Sequence, residues 1–98
     1  MIVIEIQTTA VFDSWLAGIA DREVAAIVTA RIIRVQHGLM GDVKSVGGKV
    51  SEHRIDYGPG YRVYFTKHGK TVVILLCGGN KSSQSKDIKT AQKLAVGL

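Results

Sequence analysis

The stretch that decides the fold runs from Lys49 to Cys77 and reads KVSEHRIDYGPGYRVYFTKHGKTVVILLC. Three strand-like runs can be read in it: Lys49–Asp56, Tyr61–Lys67 and Thr71–Cys77. They are separated by Gly58-Pro59-Gly60 and by His68-Gly69-Lys70, and short glycine-containing connections of this kind are typical of antiparallel hairpins. The sequence therefore predicts an antiparallel meander in the second half of the chain.

The first half of the chain predicts one strand and a helical hairpin. Ile2 to Gln7 alternate with the period of two that a strand shows, and Thr8 or Thr9 can then cap a short helix. Asp21 can cap a second helix. The apolar stripes of the two helices are Phe12, Trp15, Leu16 and Ile19 in the first, and Val24, Val28, Ile32, Val35 and Leu39 in the second. A glycine-rich polar stretch follows, with one short strand around Val43 to Val46.

The chain closes with a basic amphipathic helix. Residues Asn80 to Ser85 supply several possible caps, and the apolar stripe consists of Ile88, Ala91, Leu94 and Ala95. The element order β-α-α-β-β-β-β-α predicts one α+β domain over residues 1–98. We expect the helices to pack on one face of a twisted, mainly antiparallel sheet.

The positive charge is concentrated in the second half of the chain. The formal net charge is +5, and residues 38–98 hold ten Lys or Arg against four Asp or Glu. Such a field attracts nucleic acid, a ribosomal surface or an acidic protein partner. A solvated surface with a lysine bias accounts for the charge equally well. The polar residues along the predicted strands allow the same two interpretations, because cross-strand Glu–Arg pairs are common on exposed sheet faces.

Several classes of site find no support in the sequence. Cys77 is the only cysteine, and its apolar strand context predicts a packed thiol in a reducing compartment. The histidines do not have metal-ligand spacing, and no phosphate-binding loop or hydrolase motif occurs. No apolar run approaches the roughly 20 residues that span a bilayer, and no signal peptide is evident. These observations predict a cytoplasmic protein without a metal, a cofactor or a membrane partner.

Two continuous segments carry a family resemblance. They are Val46–Phe65, VGGKVSEHRIDYGPGYRVYF, and Leu75–Ile88, LLCGGNKSSQSKDI. They resemble the HigB-like addiction module killer proteins, a branch of the RelE/ParE superfamily. The resemblance is close over the last half of the chain and loose over the helical hairpin. It implies a RelE-like fold and the toxin half of a toxin–antitoxin pair, with a helix-turn-helix antitoxin encoded in the adjacent gene.

The resemblance also implies a reaction. RelE-type toxins enter the ribosomal A site and cleave mRNA without a metal or cofactor. The 2′-hydroxyl of one nucleotide attacks the adjacent phosphate, which leaves a cyclic phosphate and a free 5′-hydroxyl. The reaction needs a base for the 2′-proton, cations for the dianionic phosphorane and a proton donor for the leaving oxygen.

Four residues match family positions at which we expect catalysis. Arg62, in the GYR motif, is the first candidate for phosphate stabilisation, since a guanidinium meets two phosphate oxygens at once, and Arg54 is the second. Glu52 is either a general base or a partner of Arg54 or Arg62. Lys81, in the GGNKSSQ motif, resembles a basic residue at the cleavage site. The alternative roles for Lys81 are capping of the helix that follows and contact with the antitoxin.

Further residues are expected to bind RNA. Lys44 and Lys49 are candidates to hold RNA phosphates, and Tyr64 is a candidate to stack on a base. The chain lacks the tyrosine or histidine that several RelE-type toxins carry near the C-terminus, so the proton donor is unassigned. Lys81 and His53 are the substitutes that the sequence offers.

Two other functions share these sequence features. A ParE-like toxin has the same fold and inhibits DNA gyrase by binding it, without enzymatic activity. An inactive remnant would bind its antitoxin and do nothing else. The presence of Glu52, Arg54, Arg62 and Lys81 together favours mRNA cleavage, because a gyrase inhibitor has no need of a phosphate-cleaving array.

Overall fold

The fold was analysed in a computed structural model that describes residues 3–98. In chain order its elements are β1 (Glu5–Thr8), α1 (Ala10–Ala17), α2 (Arg22–Gln36), β2 (Val43–Gly47), β3 (Val50–Ile55), β4 (Tyr61–His68), β5 (Val72–Asn80), a 3-10 turn (Lys81–Ser83) and α3 (Gln84–Val96). The predicted α+β class and element order are confirmed, and the short strand expected near Val43 is present as β2.

Within residues 3–98, five strands form one sheet in the order β1-β5-β4-β3-β2. Strands β2 to β5 pair antiparallel, which confirms the predicted meander. Strand β1 instead runs parallel to β5, with Glu5 opposite Val72 and Thr8 opposite Leu75. A parallel pair requires a long crossover connection. The helical hairpin and the first three strands of the meander provide it here.

Two strand boundaries differ from the prediction by more than one residue. The first strand was expected over Ile2 to Gln7; Ile2 lies outside the described residues, and β1 begins at Glu5. Strand β5 continues past its expected end at Cys77, since Gly78 and Gly79 pair with Val63 and Arg62 of β4. The predicted strand ends before these two glycines, whereas in the structure they belong to β5 and allow other parts of the chain to approach it closely.

Both predicted helix caps are confirmed. The Oγ1 of Thr9 accepts a hydrogen bond from the backbone N–H of Phe12 at 3.0 Å. The Oδ1 of Asp21 accepts one from the backbone N–H of Glu23 at 2.9 Å. The prediction that Leu39 continues the stripe of the second helix is wrong, because α2 ends at Gln36 and Leu39 is 62% exposed.

The helices cover both faces of the sheet, so the prediction that they pack on one face is wrong. Helices α1 and α2 cover the hairpin face, whose core contains Phe12, Val24, Val28, Val63, Phe65 and Leu75. Helix α3 covers the opposite face, here called the α3 face, whose core contains Val50, Tyr64, Ile74, Leu76, Cys77 and Ala91. The central strands β4 and β5 are apolar on both faces, and each face must therefore be shielded from water.

A register shift between Tyr64 and Phe65 shapes the α3 face. Tyr64 pairs with Cys77 and Phe65 pairs with Leu75, so Leu76 is an extra residue on β5. Leu76 and Cys77 therefore both belong to the core beneath α3. Burial raises the pKa of the Cys77 thiol to about 12, which agrees with the predicted packed thiol.

Candidate functional site

An open groove of about 450 Å³ lies at one end of the sheet. It is called the basic groove below, and its lining side chains include Asp42, Arg54, Asp56, Arg62 and Lys81, together with the turn Gly58-Pro59-Gly60. The structure thus brings together three of the four predicted catalytic residues. The fourth, Glu52, lies beneath this surface.

Strand register places the three basic side chains together. Arg54 near the end of β3 is directly opposite Arg62 near the start of β4. Strand β5 ends at Asn80, opposite Tyr61, and the backbone N–H of the next residue, Lys81, donates to the carbonyl of Gly60 at 2.9 Å. The Asn80 side chain caps the turn that follows by accepting from the backbone N–H of Ser82 at 2.9 Å. Lys81 is therefore fixed at the mouth of the groove by its backbone.

The two arginines have different surroundings. Like charges directly opposite each other in a sheet repel, and each arginine here has its own carboxylate. Arg54 Nη2 donates to Asp42 Oδ1 at 3.0 Å in a pair that is open to solvent, with the Arg54 side chain 41% exposed. Arg62 Nε lies 3.5 Å from Glu52 Oε2, and the Arg62 side chain is only 12% exposed. Arg62 is thus the more buried of the two guanidinium groups.

Glu52 is buried between the sheet and α3, at 1% exposure. Its Oε2 accepts a hydrogen bond from Gln84 Nε2 at 2.9 Å, in addition to its contact with Arg62. Of the two roles that the sequence allowed for Glu52, this environment agrees with pairing to Arg62. A buried carboxylate requires such partners, because burial removes the water that otherwise stabilises its charge.

Tyr64 is fully buried beneath α3, so the prediction that its ring stacks on a base is wrong for this structure. Its pKa is raised, first by burial and then by the nearby carboxylate of Glu52. The alternation of β4 places Tyr64 on the same face as Arg62, and α3 covers that face over Tyr64. The sequence pattern could not show which face a distant helix would cover.

The structure places the other predicted RNA-binding residues outside the basic groove. Lys44 is exposed on the edge strand β2, in register with Glu52. Lys49 lies in the β2–β3 turn with a φ of 63°, and it lines a different cleft with Lys67 and His68. Both side chains reach solvent, but neither lines the basic groove.

His53 lies on the hairpin face and not in the groove. Its Nδ1 is 2.8 Å from the carbonyl of Met40, and the ring is buried. Burial is the largest cause of its lowered pKa, the Met40 contact and Asp42 act in the opposite direction, and Arg31 adds to the lowering. Of the two substitutes proposed for the missing proton donor, only Lys81 lines the groove.

Sequence reasoning missed three polar residues at this site. Asp42 and Asp56 line the groove, and Gln84 contacts Glu52 from α3. The sequence places Asp42 in the glycine-rich polar stretch and Asp56 at the end of a predicted strand. Gln84 stands inside the Leu75–Ile88 segment that carries the family resemblance, but a motif does not show which of its side chains turn inward.

The described part of the chain contains no group of three His, Cys, Asp or Glu side chains placed to hold a metal ion. None of the helices within residues 3–98 is long and apolar enough to cross a membrane.

Comparison with solved structures defines the class of fold. The chain superimposes on a double arginine-to-alanine mutant of the E. coli toxin RelE in the free state with a TM-score of 0.70, covering 94% of this chain and 96% of that one. The sequence identity is 12%, so the likeness shows a shared RelE-like fold. No family model matches the sequence.

The family is shown by sequence. Over 95 residues the chain is 52% identical to an uncharacterized protein of Haemophilus influenzae, covering 97% of this chain and 96% of that protein. The chain belongs to the same family as this H. influenzae protein, and its fold is RelE-like.

Proposed function

We propose that this protein is the toxin of a toxin–antitoxin pair and that it cleaves mRNA on the ribosome through the basic groove. The observation that carries the proposal is the meeting of Arg54, Arg62 and Lys81 at one open groove on a RelE-like fold. Arg54 and Arg62 are held on strands and Lys81 on the turn that follows β5. A cluster of cations that is fixed in this way and open to substrate stabilises the charge that develops on a phosphorane. The HigB-like branch remains the prediction of the two sequence segments described above.

In the proposed reaction, the 2′-oxygen forms a bond to the adjacent phosphorus as the bond from phosphorus to the 5′-oxygen breaks. The 2′-proton passes to a base, and the leaving 5′-oxygen takes a proton from an acid. The products are a cyclic phosphate and a 5′-hydroxyl. Arg62 and Arg54 stabilise the charged phosphorane, and Lys81 serves the leaving oxygen as a cation or proton donor.

Accessible carboxylates of the groove are the candidates for the base. Glu52 is buried and engaged by two partners. Asp42 is exposed but hydrogen-bonded to Arg54, whereas Asp56 is exposed and forms no ion pair within residues 3–98. Asp56→Asn is therefore the variant that tests for a carboxylate base in this groove.

The proposed partners follow from charge and from the fold. The excess of Lys and Arg in residues 38–98 supports binding to ribosomal RNA and mRNA, and exposed Lys44 and Lys49 are candidates for phosphate contacts outside the groove. A neutralising antitoxin, expected to be a helix-turn-helix protein from the adjacent gene, is the proposed protein partner. We place the complex in the cytoplasm, where translating ribosomes are found.

The test adds purified protein to a coupled translation reaction and maps the 5′ ends of a reporter mRNA, with a ribosome-free reaction alongside. Arg62→Ala should reduce cleavage inside translated codons by roughly 10²–10³-fold, the usual cost of losing one preorganised transition-state donor. Arg34→Ala, which removes an exposed arginine from α2, is the matched control and should cleave like the wild type.

Because Arg62→Ala leaves Glu52 buried without its cation, Arg62→Lys is tested as well, and circular dichroism confirms that each variant is folded. Intact mRNA with wild-type protein would overturn the proposal. If the protein were nevertheless toxic to cells, gyrase supercoiling would be assayed next, and an absence of toxicity would indicate an inactive antitoxin-binding protein.

A further inference from the structure

Glu52 is a buried carboxylate to which the proposed reaction assigns no proton transfer. At 1% exposure it cannot reach a 2′-hydroxyl in the groove while α3 is packed on the sheet. Its Oε2 has two partners from different elements, Gln84 of α3 at 2.9 Å and Arg62 of β4 at 3.5 Å. The carboxylate therefore connects α3 to the arginine that we consider most important for phosphate stabilisation.

Arg62 is held at two of its nitrogen atoms. Nε lies at an ion-pair distance of 3.5 Å from Glu52 Oε2 and has no hydrogen-bond partner in the described part of the chain, and Nη1 donates to the carbonyl of Gly60 at 3.3 Å. One ion pair and one hydrogen bond at separate atoms restrict the orientation of the planar guanidinium. Within residues 3–98, Nη2 has no hydrogen-bond acceptor, which leaves it for a phosphate oxygen.

We propose that Gln84 and Glu52 are positioning residues that orient Arg62, so that the packing of α3 against the sheet sets the activity of the basic groove. Gln84 fixes the carboxylate, and the carboxylate fixes the guanidinium. This inference rests on the proposed cleavage function. It assigns a positioning role to Gln84. The packing of α3 then affects the reaction, although α3 contributes no group that reacts.

A second glutamine of the same helix separates positioning from simple packing of α3. Gln92 Nε2 donates to the backbone carbonyl of Val46 at 3.1 Å, and both glutamines are half-buried. Each therefore provides one hydrogen bond from α3 to the sheet, of similar length and donor type. They differ in their acceptors, because only Gln84 contacts the carboxylate beside Arg62.

The experiment compares Gln84→Met with Gln92→Met, since methionine keeps the length of the side chain and removes the amide donor. We expect Gln84→Met to lower the maximal rate of ribosome-dependent mRNA cleavage by about 10-fold or more, the scale of a misplaced catalytic group, with little change in the ribosome concentration that gives half the maximal rate. Gln92→Met should keep the wild-type rate, and Gln84→Met should lose more stability than Gln92→Met, because it removes a donor from a buried carboxylate.

A readout independent of activity follows the Arg62 guanidinium directly. Its Nε is shielded from water beside Glu52, although it forms no hydrogen bond within residues 3–98, so the Nε–H hydrogen should exchange slowly enough for an NMR signal, identified by its absence in Arg62→Lys. We expect this signal to shift or broaden in Gln84→Met and to stay in place in Gln92→Met. Equal rate losses in the two variants, or an unchanged Arg62 signal in Gln84→Met, would overturn the inference.

The two readouts distinguish failure of the inference from failure of the proposed function. If the wild-type protein does not cleave mRNA, the cleavage proposal fails, and the NMR comparison alone decides whether Gln84 and Glu52 hold Arg62. If the wild type cleaves and Gln84→Met cleaves equally well, the function stands and the positioning role of Gln84 is rejected.

Discussion

The two faces of the sheet are built differently. The core of the hairpin face is almost wholly apolar, with His53 as its buried polar neighbour. The α3 face combines an apolar cluster with a buried carboxylate, which contacts both an arginine at the edge and a glutamine of α3. Buried polar contacts give less net stability than apolar packing of the same volume. We therefore expect the hairpin face to supply most of the stability and the α3 face to organise the groove.

The adjacent residues Gly78 and Gly79 show this division at one point of the structure. A Cβ atom on Gly78 would overlap the indole ring of Trp15 on the hairpin face. A Cβ atom on Gly79 would overlap the carboxylate of Asp87 on the α3 face. Two neighbouring positions on one strand thus test the two faces separately.

The largest effect is expected from Phe12→Ala on the hairpin face. Phe12 is 1% exposed and packs beside Trp15, with ring centroids 5.7 Å apart. Removing a buried aromatic ring should lower the free energy of unfolding by about 3–5 kcal/mol, measured by urea denaturation. Val11→Ala, at an exposed position of the same helix, is the control. A loss no greater than that of Val11→Ala would show that the hairpin face does not dominate stability.

An intermediate effect is expected from the two glycine variants. Gly78→Ala and Gly79→Ala should each lower the free energy of unfolding by about 1–3 kcal/mol, since each adds a methyl group where no space exists. They should differ in cleavage of reporter mRNA by the folded protein. Gly79→Ala displaces Asp87 at the start of α3 and should lose activity, whereas Gly78→Ala should keep it. Equal activity in the two variants would contradict the proposal that the α3 face, and not the hairpin face, organises the groove.

The smallest effect on the free energy of unfolding is expected from protonation of His53, because it involves one ionisable group and removes no packed side chain. Its pKa in the folded protein is lowered, chiefly by burial, below the value of about 6.5 for an unfolded chain. Protonation then favours the unfolded state, so the contribution of His53 to stability is present above about pH 6.5 and is lost as the pH falls through the lowered pKa.

Urea denaturation between about pH 8 and pH 5 measures this loss, since the window brackets the ordinary pKa of histidine. His53→Gln removes the titrating ring and should flatten the pH dependence. His68→Gln, at the exposed end of β4, is the control and should keep the wild-type dependence. A steep dependence that persists in His53→Gln would assign the effect to other groups.

Much of the fold could be predicted because its signals are local. The glycine-bearing connections gave the meander, and the capping residues Thr9 and Asp21 gave the starts of both helices. Leu39 was misassigned because apolar periodicity continues past the residue at which α2 ends. The position of α3 was mispredicted because a central strand that is apolar on both faces does not show which helix covers which face.

The candidate site could be predicted only in part, for a similar reason. Arg54, Arg62 and Lys81 were identified from motifs, and strand register brings them together. Tyr64 was expected at an RNA surface and is buried, while Gln84 was overlooked. Both errors follow from the path of α3, whose contacts with β3 and β4 join residues that are far apart in sequence.

The sequence by itself determined the strands, the caps and the basic character of the second half of the chain, because periodicity, turn residues and charge are properties of neighbouring residues. Only the tertiary structure decided that Glu52 is buried, that Gln84 is its partner and that Arg62 is held at the edge of a groove shared with Arg54 and Lys81. Those relations depend on packing between distant segments, in which each side chain competes with others for the same space and the same hydrogen-bond partners.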